Sequence, residues 1–137
     1  MVSVKDVPAQ QLVEKLKEEL KKVEQIKPPE SIKYSKTGPH RERPPQQKDF
    51  WYIRAASLMR RVAIEGNVGV ERLRTFYGGK KRRGYKPAIS KRASGGILRR
   101  LLQQLEEAGF VAKDKKGRKL TAKGQKLLSS ITKEMKK

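Results

Sequence analysis

The stretch from Ser94 to Gly109 constrains the fold more than any other part of this sequence. On the helical period of about 3.6 residues, its apolar side chains fall on one stripe, made up of Ile97, Leu98, Leu101, Leu102, Leu105 and Ala108. Arg99, Arg100 and Gln103 fall on the opposite side. Ser94 is placed to cap such a helix, and Gly109 is placed to end it. The pattern therefore predicts a helix that buries one side and turns arginines outward from its first turns.

The segments around this helix follow the order of a winged helix, a helix-turn-helix variant. A short helix with an apolar face is predicted before it (68–78), a β-hairpin after it (110–121) and a closing helix after the hairpin (120–135). The usual short turn between the first two helices is replaced here by a long basic loop, the insertion over 78–93.

The N-terminal part predicts two further helices on either side of a proline-rich segment. Residues 1–24 carry a narrow apolar stripe, and residues 49–66 carry an apolar face wide enough for a central helix. Five prolines between them exclude a continuous helix over 25–48. We expect an extended segment lying against the domain there, with disorder in solution as the alternative.

These patterns together predict a mainly α, winged-helix-like fold. It has a small β-hairpin wing and extra N-terminal helices. At 137 residues the chain is expected to form a single domain over 1–137, with its core in 49–137.

The charge of the chain is extreme and unevenly distributed. There are 35 Lys and Arg residues against 14 Asp and Glu, a net charge of +21, and residues 1–30 contribute none of it. From Arg72 through Leu105 there are eleven cations and no carboxylate. A solvated surface normally mixes signs, whereas such a run repels itself unless a polyanion neutralises it. The run therefore predicts nucleic-acid binding, with a plain solvated surface as the alternative.

Some aromatic and basic side chains have two interpretations. Tyr77 is expected mainly as a core residue of the helix over 68–78, with base stacking as the alternative, and either role suits Tyr85. Arg54 and Arg61 lie on one strip of the predicted central helix. They either contact the polyanion or are held within the protein, and Glu65, one turn away, is a partner for Arg61.

The residue types exclude several other functions. The chain has no cysteine, and its one histidine, His40, lies in a basic proline-rich stretch, so no metal site is predicted. No nucleophile has a base to activate it, no paired carboxylates appear, and no phosphate-binding Gly-Lys-Ser/Thr motif is present. We therefore expect no enzymatic activity and no cofactor. No apolar run approaches the about 20 residues of a membrane span.

The charge pattern alone leaves DNA and RNA open. A winged-helix DNA-binding regulator or chromatin protein has the same element order. The helix over 97–108 becomes acidic after Gln103, which limits how deeply it can enter a duplex major groove. The cations are spread over several segments of the chain. This distribution suits a folded RNA that contacts the protein on several sides through its phosphates. The pattern favours RNA.

Four long motifs occur in order along the chain: IKPPESIKYSKTGPHRERPP, DFWYIRAASLMRR, VGVERLRTFYGGKKRRG and SGGILRRLLQQLEEAGFV. In this order they closely resemble the ribosomal protein S19e family, a small-subunit protein of archaea and eukaryotes. The resemblance runs from about Val4 to Leu128, and the lack of cysteine resembles archaeal members.

The resemblance implies a cytoplasmic ribosomal protein bound to ribosomal RNA in the head of the small subunit. It implies neighbouring ribosomal proteins as partners, no small-molecule substrate, no enzymatic activity and a monomer outside the ribosome. A role in small-subunit assembly is a hypothesis. The family's basic surface corresponds in this sequence to Trp51, Arg54, Arg61, residues 80–86, Ser94, Arg99 and Arg100. His40 also matches the family's residue at its position, which favours it as an RNA contact.

The charge pattern and the resemblance together give one set of candidate RNA-binding residues. They are Lys36, His40, Arg41, Trp51, Arg54, Arg61, Lys80, Lys81, Arg82, Arg83, Tyr85, Lys86, Lys91, Arg92, Ser94, Arg99, Arg100, Gln103, Lys115 and Lys116.

Overall fold

The computed structural model describes residues 5, 7–29, 36–41, 45 and 49–135. Its elements, in chain order, are α1 (Ala9–Lys21), α2 (Phe50–Glu65), α3 (Val70–Tyr77), β1 (Gly79–Arg83), β2 (Lys86–Lys91), α4 (Gly95–Glu107), β3 (Val111–Asp114), β4 (Gly117–Leu120) and α5 (Ala122–Met135). The strands form two antiparallel hairpins, β1–β2 and β3–β4. The fold is mainly α and winged-helix-like, as the sequence predicts.

The helix α4 places its apolar stripe in the core, as its period predicts. The four buried leucines are Leu98, Leu101, Leu102 and Leu105. Gly109 ends the helix with φ at 87°, a left-handed conformation that glycine adopts without steric cost. Ser94 stands at the N-cap position, but its side chain makes no capping hydrogen bond. Ser94 therefore occupies the predicted N-cap position, but the predicted capping by its side chain is wrong.

The helix α2 is the central element. Its buried side chains are Phe50, Trp51, Ala55, Ala56, Leu58, Met59 and Val62. It contacts α1, α4, α5 and β4, which explains why its apolar face is wide. Leucines from α1 and residues of α5 such as Leu128 and Ile131 join the same apolar cluster.

The β3–β4 hairpin forms the predicted wing. Its strands pair from Val111–Leu120 to Asp114–Gly117, which leaves Lys115 and Lys116 in the turn. Val68 exchanges backbone hydrogen bonds with Arg118 (3.0 and 2.9 Å) and so forms an isolated antiparallel β-bridge beside β4. A Cβ on Gly117 would lie within 2.7 Å of the Val68 carbonyl, so only glycine allows this approach.

The basic insertion over 78–93, for which the sequence predicts neither a helix nor a strand, is a regular element of the structure. It forms the β1–β2 hairpin, paired from Gly79–Lys91 to Arg83–Lys86 with a bulge between Lys81 and Arg83. Gly84, with φ at 70°, makes the turn. After Gly79, β1 consists of Lys and Arg, and β2 begins and ends with Lys. Neither strand has a buried residue or the apolar alternation that identifies a strand in sequence. That is why the hairpin escaped prediction.

The proline-rich segment over 25–48 falls partly outside the described residues, since 30–35, 42–44 and 46–48 are not among them. The described residues 36–41 pack against the body. Among the residues that the structure describes, no helix is long and apolar enough to cross a membrane. No cluster of side chains suited to holding a metal ion occurs in the same part of the chain.

Candidate nucleic-acid interface

The basic hairpin is fixed to the body at its base. The Ala93 N–H donates to the Arg74 carbonyl oxygen, and Arg74 Nε donates to the Ala93 carbonyl oxygen, both at 2.9 Å. A Cβ on Gly78 would overlap the Lys91 carbonyl oxygen and would lie 3.0 Å from the Arg92 Cα. Glycine at position 78 therefore lets the chain leaving α3 pass directly against the returning strand.

Residues 36–41 cross this base. The Ser94 N–H donates to the Thr37 carbonyl oxygen at 2.7 Å. The His40 ring lies against the hairpin, since a Cβ on Gly79 would come within 3.2 Å of its Cδ2 atom. The segment and the hairpin are thus held next to each other, although all of α2 and α3 separates them in sequence.

A cleft of about 670 Å³ lies between the segment and β1, and we call it the basic cleft. Its lining residues are Lys36, Pro39, His40, Arg41, Lys80, Lys81 and Arg82. Among the described residues, no carboxylate lines it. The cleft therefore unites six of the candidate residues without an internal counterion, and the phosphates of a nucleic acid would supply that counterion.

His40 is a half-buried ionisable group of the basic cleft. Its Nδ1 atom is buried, and the described residues offer it no hydrogen-bond partner. Burial, followed by the charges of Arg41 and Arg54, lowers the pKa of His40. Because that pKa falls below its usual value near 6.5, the ring is neutral at pH 7 and can accept a hydrogen bond as well as donate one.

Arg54 does not form a free cationic stripe. Its guanidinium carbon lies 4.2 Å from the centroid of the Tyr77 ring and 5.2 Å from that of Phe50. The Tyr77 hydroxyl is hydrogen-bonded to Ser57 Oγ at 2.6 Å. Burial lowers the pKa of Arg54 and raises that of Tyr77. Tyr77 is therefore a packed residue, as expected, and Arg54 is held mainly by ring faces.

A second opening lies beside α3, and we call it the α3 groove. It encloses about 500 Å³ and is lined by Arg61, Glu71, Arg72, Thr75, Phe76 and Arg92. Arg61 pairs with Glu65, which was the alternative to a polyanion contact, and its guanidinium carbon lies 4.0 Å above the centroid of the Phe76 ring. Phe76 was not among the site residues expected from sequence, because its spacing of three residues from the buried Leu73 is that of a side chain on the same, inward face of the helix.

Glu71 organises the cations at the edge of the α3 groove. Its two carboxylate oxygens accept from Arg74 Nη1 at 3.0 Å and from Arg92 Nη1 at 2.7 Å. The hydrogen bond from Arg74, then the charges of Arg74 and Arg92, lower the pKa of Glu71. Two of the eleven cations in the acid-free run thus have a partner in the carboxylate just before it.

Other candidates lie outside both openings. Arg83 donates twice to the Pro87 carbonyl oxygen, at 2.9 and 2.8 Å, and so supports the hairpin turn. Tyr85 is 97% exposed at the hairpin tip. The remaining exposed candidates are Lys86, Lys91, Arg99, Arg100, Gln103, Lys115 and Lys116. The last two lie at the wing tip.

Trp51 is a core residue, so its expected direct contact with RNA does not fit this structure. It is 2% exposed, and its indole Nε1 donates to Gln104 Oε1 at 2.7 Å. Gln104 also accepts from the Lys27 N–H and donates to the Lys27 carbonyl oxygen. This role of Gln104 could not be predicted from the sequence, because the spacing of a glutamine on a helix does not reveal its hydrogen-bond partners.

Comparison with known proteins identifies the family. The family model of ribosomal protein S19e matches residues 3–137. Small ribosomal subunit protein eS19 of Aeropyrum pernix is 43% identical over 138 residues, covering 98% of this chain and 90% of its own length. The eS19 of Thermoplasma volcanium is 43% identical over 98% of this chain and 90% of its own. Small ribosomal subunit protein eS19G of Ascaris suum is 41% identical over 97% and 91%. The chain belongs to the ribosomal protein S19e family.

Proposed function

We propose that this chain is a structural component of the small ribosomal subunit and that its basic cleft binds the backbone of ribosomal RNA. The observation that carries this proposal is the carboxylate-free lining of the cleft among the described residues. The relatives are named small ribosomal subunit proteins, which supports the same assignment.

The physical basis is phosphate neutralisation. Each Lys or Arg that meets a phosphate releases condensed counterions, so binding is strong at low salt and weakens as salt rises. Lys80 and Arg82 are exposed on β1, while Lys36 and Arg41 face them from the crossing segment. A backbone lying in the cleft would therefore meet cations on both sides. Arg99 and Arg100, exposed on α4, extend this basic surface.

The wider role that we propose follows from the family. The chain would lie in the head of the small subunit, on ribosomes in the cytoplasm, next to other ribosomal proteins. It would be monomeric when free and would aid subunit assembly by holding RNA segments together. We assign it no catalytic role, because the family and the relatives that the chain matches are named as ribosomal proteins.

Charge reversal within the cleft tests the proposal. Lys80→Glu with Arg82→Glu should weaken binding of the full chain to small-subunit ribosomal RNA. The slope of log K against log salt should become shallower by about two, because two phosphate contacts are lost. Filter binding at several salt concentrations measures both quantities, and the melting temperature should stay nearly constant since both side chains are exposed.

The matched control makes the same change of charge in the N-terminal part of the chain, whose net charge over residues 1–30 is zero. Lys15→Glu with Lys22→Glu alters two exposed lysines of α1 and its C-cap. This variant should bind nearly as the unmodified chain does. Equal losses in both double variants would mean that net charge, rather than the cleft, determines binding. Equal affinity of the unmodified chain for duplex DNA would instead favour the DNA-binding alternative.

A further inference from the structure

We propose that the α3 groove binds one unpaired base of the RNA, stacked on the ring of Phe76. This inference rests on the proposed function, because it adds a base-binding position to an RNA contact made through phosphates. It concerns residues outside the basic cleft. Arg72, Thr75 and Phe76 were not among the site residues expected from sequence.

The exposure of Phe76 is the first reason. Phe76 is 48% exposed, and among the described residues only Phe76 and Tyr85 are exposed large hydrophobics. Arg61 covers one face of the ring, and Tyr77 meets it edge-on with centroids 4.9 Å apart. From these two contacts we infer that the other face is the open one, and an open ring face is the surface on which a base stacks.

The ring is held in place before any ligand arrives. Arg61, which lies on one face, is fixed by its ion pair with Glu65. Tyr77, which supports the edge, is fixed by its hydrogen bond to Ser57. A ring with few available orientations loses little freedom on stacking, so the groove is pre-organised for a flat ligand.

The charges around the ring favour a nucleotide over an apolar protein side chain. Arg61, Arg72 and Arg92 line the groove with Glu71 as its one carboxylate among the described lining residues. Glu71 is already hydrogen-bonded to Arg92 and to Arg74. No ion pair of Arg72 occurs within the described residues, so Arg72 is the cation that we expect to meet the phosphate of the stacked nucleotide. The volume of about 500 Å³ lies within the usual range of ligand sites, about 300–1,000 Å³.

Phe76→Leu is the test, with Phe76→Tyr as the matched control. Leucine keeps an apolar side chain but removes the stacking face, and tyrosine keeps that face. Phe76→Leu should weaken binding of the full chain to small-subunit ribosomal RNA by roughly 5- to 150-fold, the usual effect of losing one stacked base. Because no charge is removed, the slope of log K against log salt should not change. Phe76→Tyr should bind nearly as the unmodified chain does.

Chemical probing of the RNA bases gives a second, independent readout. The unmodified chain should protect at least one unpaired base that becomes reactive again with Phe76→Leu, while backbone protection at the basic cleft persists. If Phe76→Leu proves unstable, ultraviolet crosslinking of the unmodified chain replaces it, and a crosslink at Phe76 is expected. The absence of that crosslink would overturn the inference.

The outcomes separate this inference from the proposed function. Unchanged affinity and unchanged base protection with Phe76→Leu would overturn the stacking site while leaving RNA binding intact. A changed salt slope would show that the ring acts by positioning Arg61, which also overturns it. Intact RNA binding with loss of a neighbouring ribosomal protein would assign the groove to a protein partner. Failure of the unmodified chain to bind RNA would refute both proposals.

Discussion

Gln104→Ala tests how the helices of the core are joined. One amide links three parts of the chain, because Gln104 Oε1 accepts from Trp51 Nε1 at 2.7 Å and from the Lys27 N–H at 3.3 Å. Its Nε2 donates to the Lys27 carbonyl oxygen at 2.8 Å. Truncation at Gln104 removes all three hydrogen bonds and leaves the indole N–H of a buried tryptophan without a partner.

The expected loss of stability follows from these contacts. An unsatisfied buried donor costs about 1–3 kcal/mol, and each of the two more exposed bonds to Lys27 contributes about 0.5 kcal/mol. The free energy of unfolding should therefore fall by about 2–4 kcal/mol. With a urea dependence of about 2 kcal/mol per molar, the unfolding midpoint should fall by about 1–2 M.

Urea unfolding followed by far-ultraviolet circular dichroism measures this loss, and the neighbouring glutamine supplies the control. Gln103 lies on the same helix but is exposed. Gln103→Ala should change stability by no more than about 0.5 kcal/mol. The cost of Gln104→Ala should also shrink when Trp51 is replaced by Phe, which has no N–H. Equal midpoints for the two glutamine variants, or an unchanged cost in the Trp51→Phe background, would refute the reasoning.

Two further predictions concern the hairpin base and the start of α2. Gly78→Ala should cost about 1–3 kcal/mol of stability by overpacking and should weaken RNA binding, because the new Cβ overlaps the Lys91 carbonyl oxygen. Gly69→Ala, with open space around the new Cβ, should do neither in the same unfolding and filter-binding assays. The hydrogen bond and then the charge of Lys21 lower the pKa of Asp49 below 3.8, so NMR titration should find that pKa depressed and returning towards 3.8 in Lys21→Met. The stabilisation from the Asp49–Lys21 pair is fully present above the pKa of Asp49 in the unfolded chain, and it is lost as the pH falls through the lower pKa of Asp49 in the folded chain. If the difference in unfolding free energy between the unmodified chain and Lys21→Met did not depend on pH, this prediction would be contradicted.

The helices could be predicted because burial repeats along them. The stripe of α4, the wide apolar face of α2 and the ends at Gly66 and Gly109 all depend on local spacing and on glycine. The wing followed from its turn and its position after α4. Each of these features depends on residues close together in sequence, so it can be recognised without knowledge of distant contacts.

The openings could not be predicted because distant segments form them. The basic cleft exists because Ser94 is hydrogen-bonded to Thr37 and because the His40 ring lies against Gly79. The local sequence pattern of residues 36–41 does not show that they contact the hairpin, and neither does that of residues 79–94. The β1–β2 hairpin was hidden for a related reason. Neither of its strands has a buried face, and a strand is recognised in sequence by the alternation that a buried face produces.

The arginines that the sequence presents as one charged run belong to different classes in the structure. Arg74 donates to the Ala93 carbonyl oxygen and to Glu71, Arg83 donates to the Pro87 carbonyl oxygen, and Arg92 pairs with Glu71. Each of these contacts competes with a phosphate for the same N–H groups. Lys80 and Arg82, exposed on β1, have no such competitor among the described residues. The number of phosphates that the run can neutralise is therefore smaller than its eleven cations, and we expect geometry, rather than total charge, to determine which of them would contact RNA.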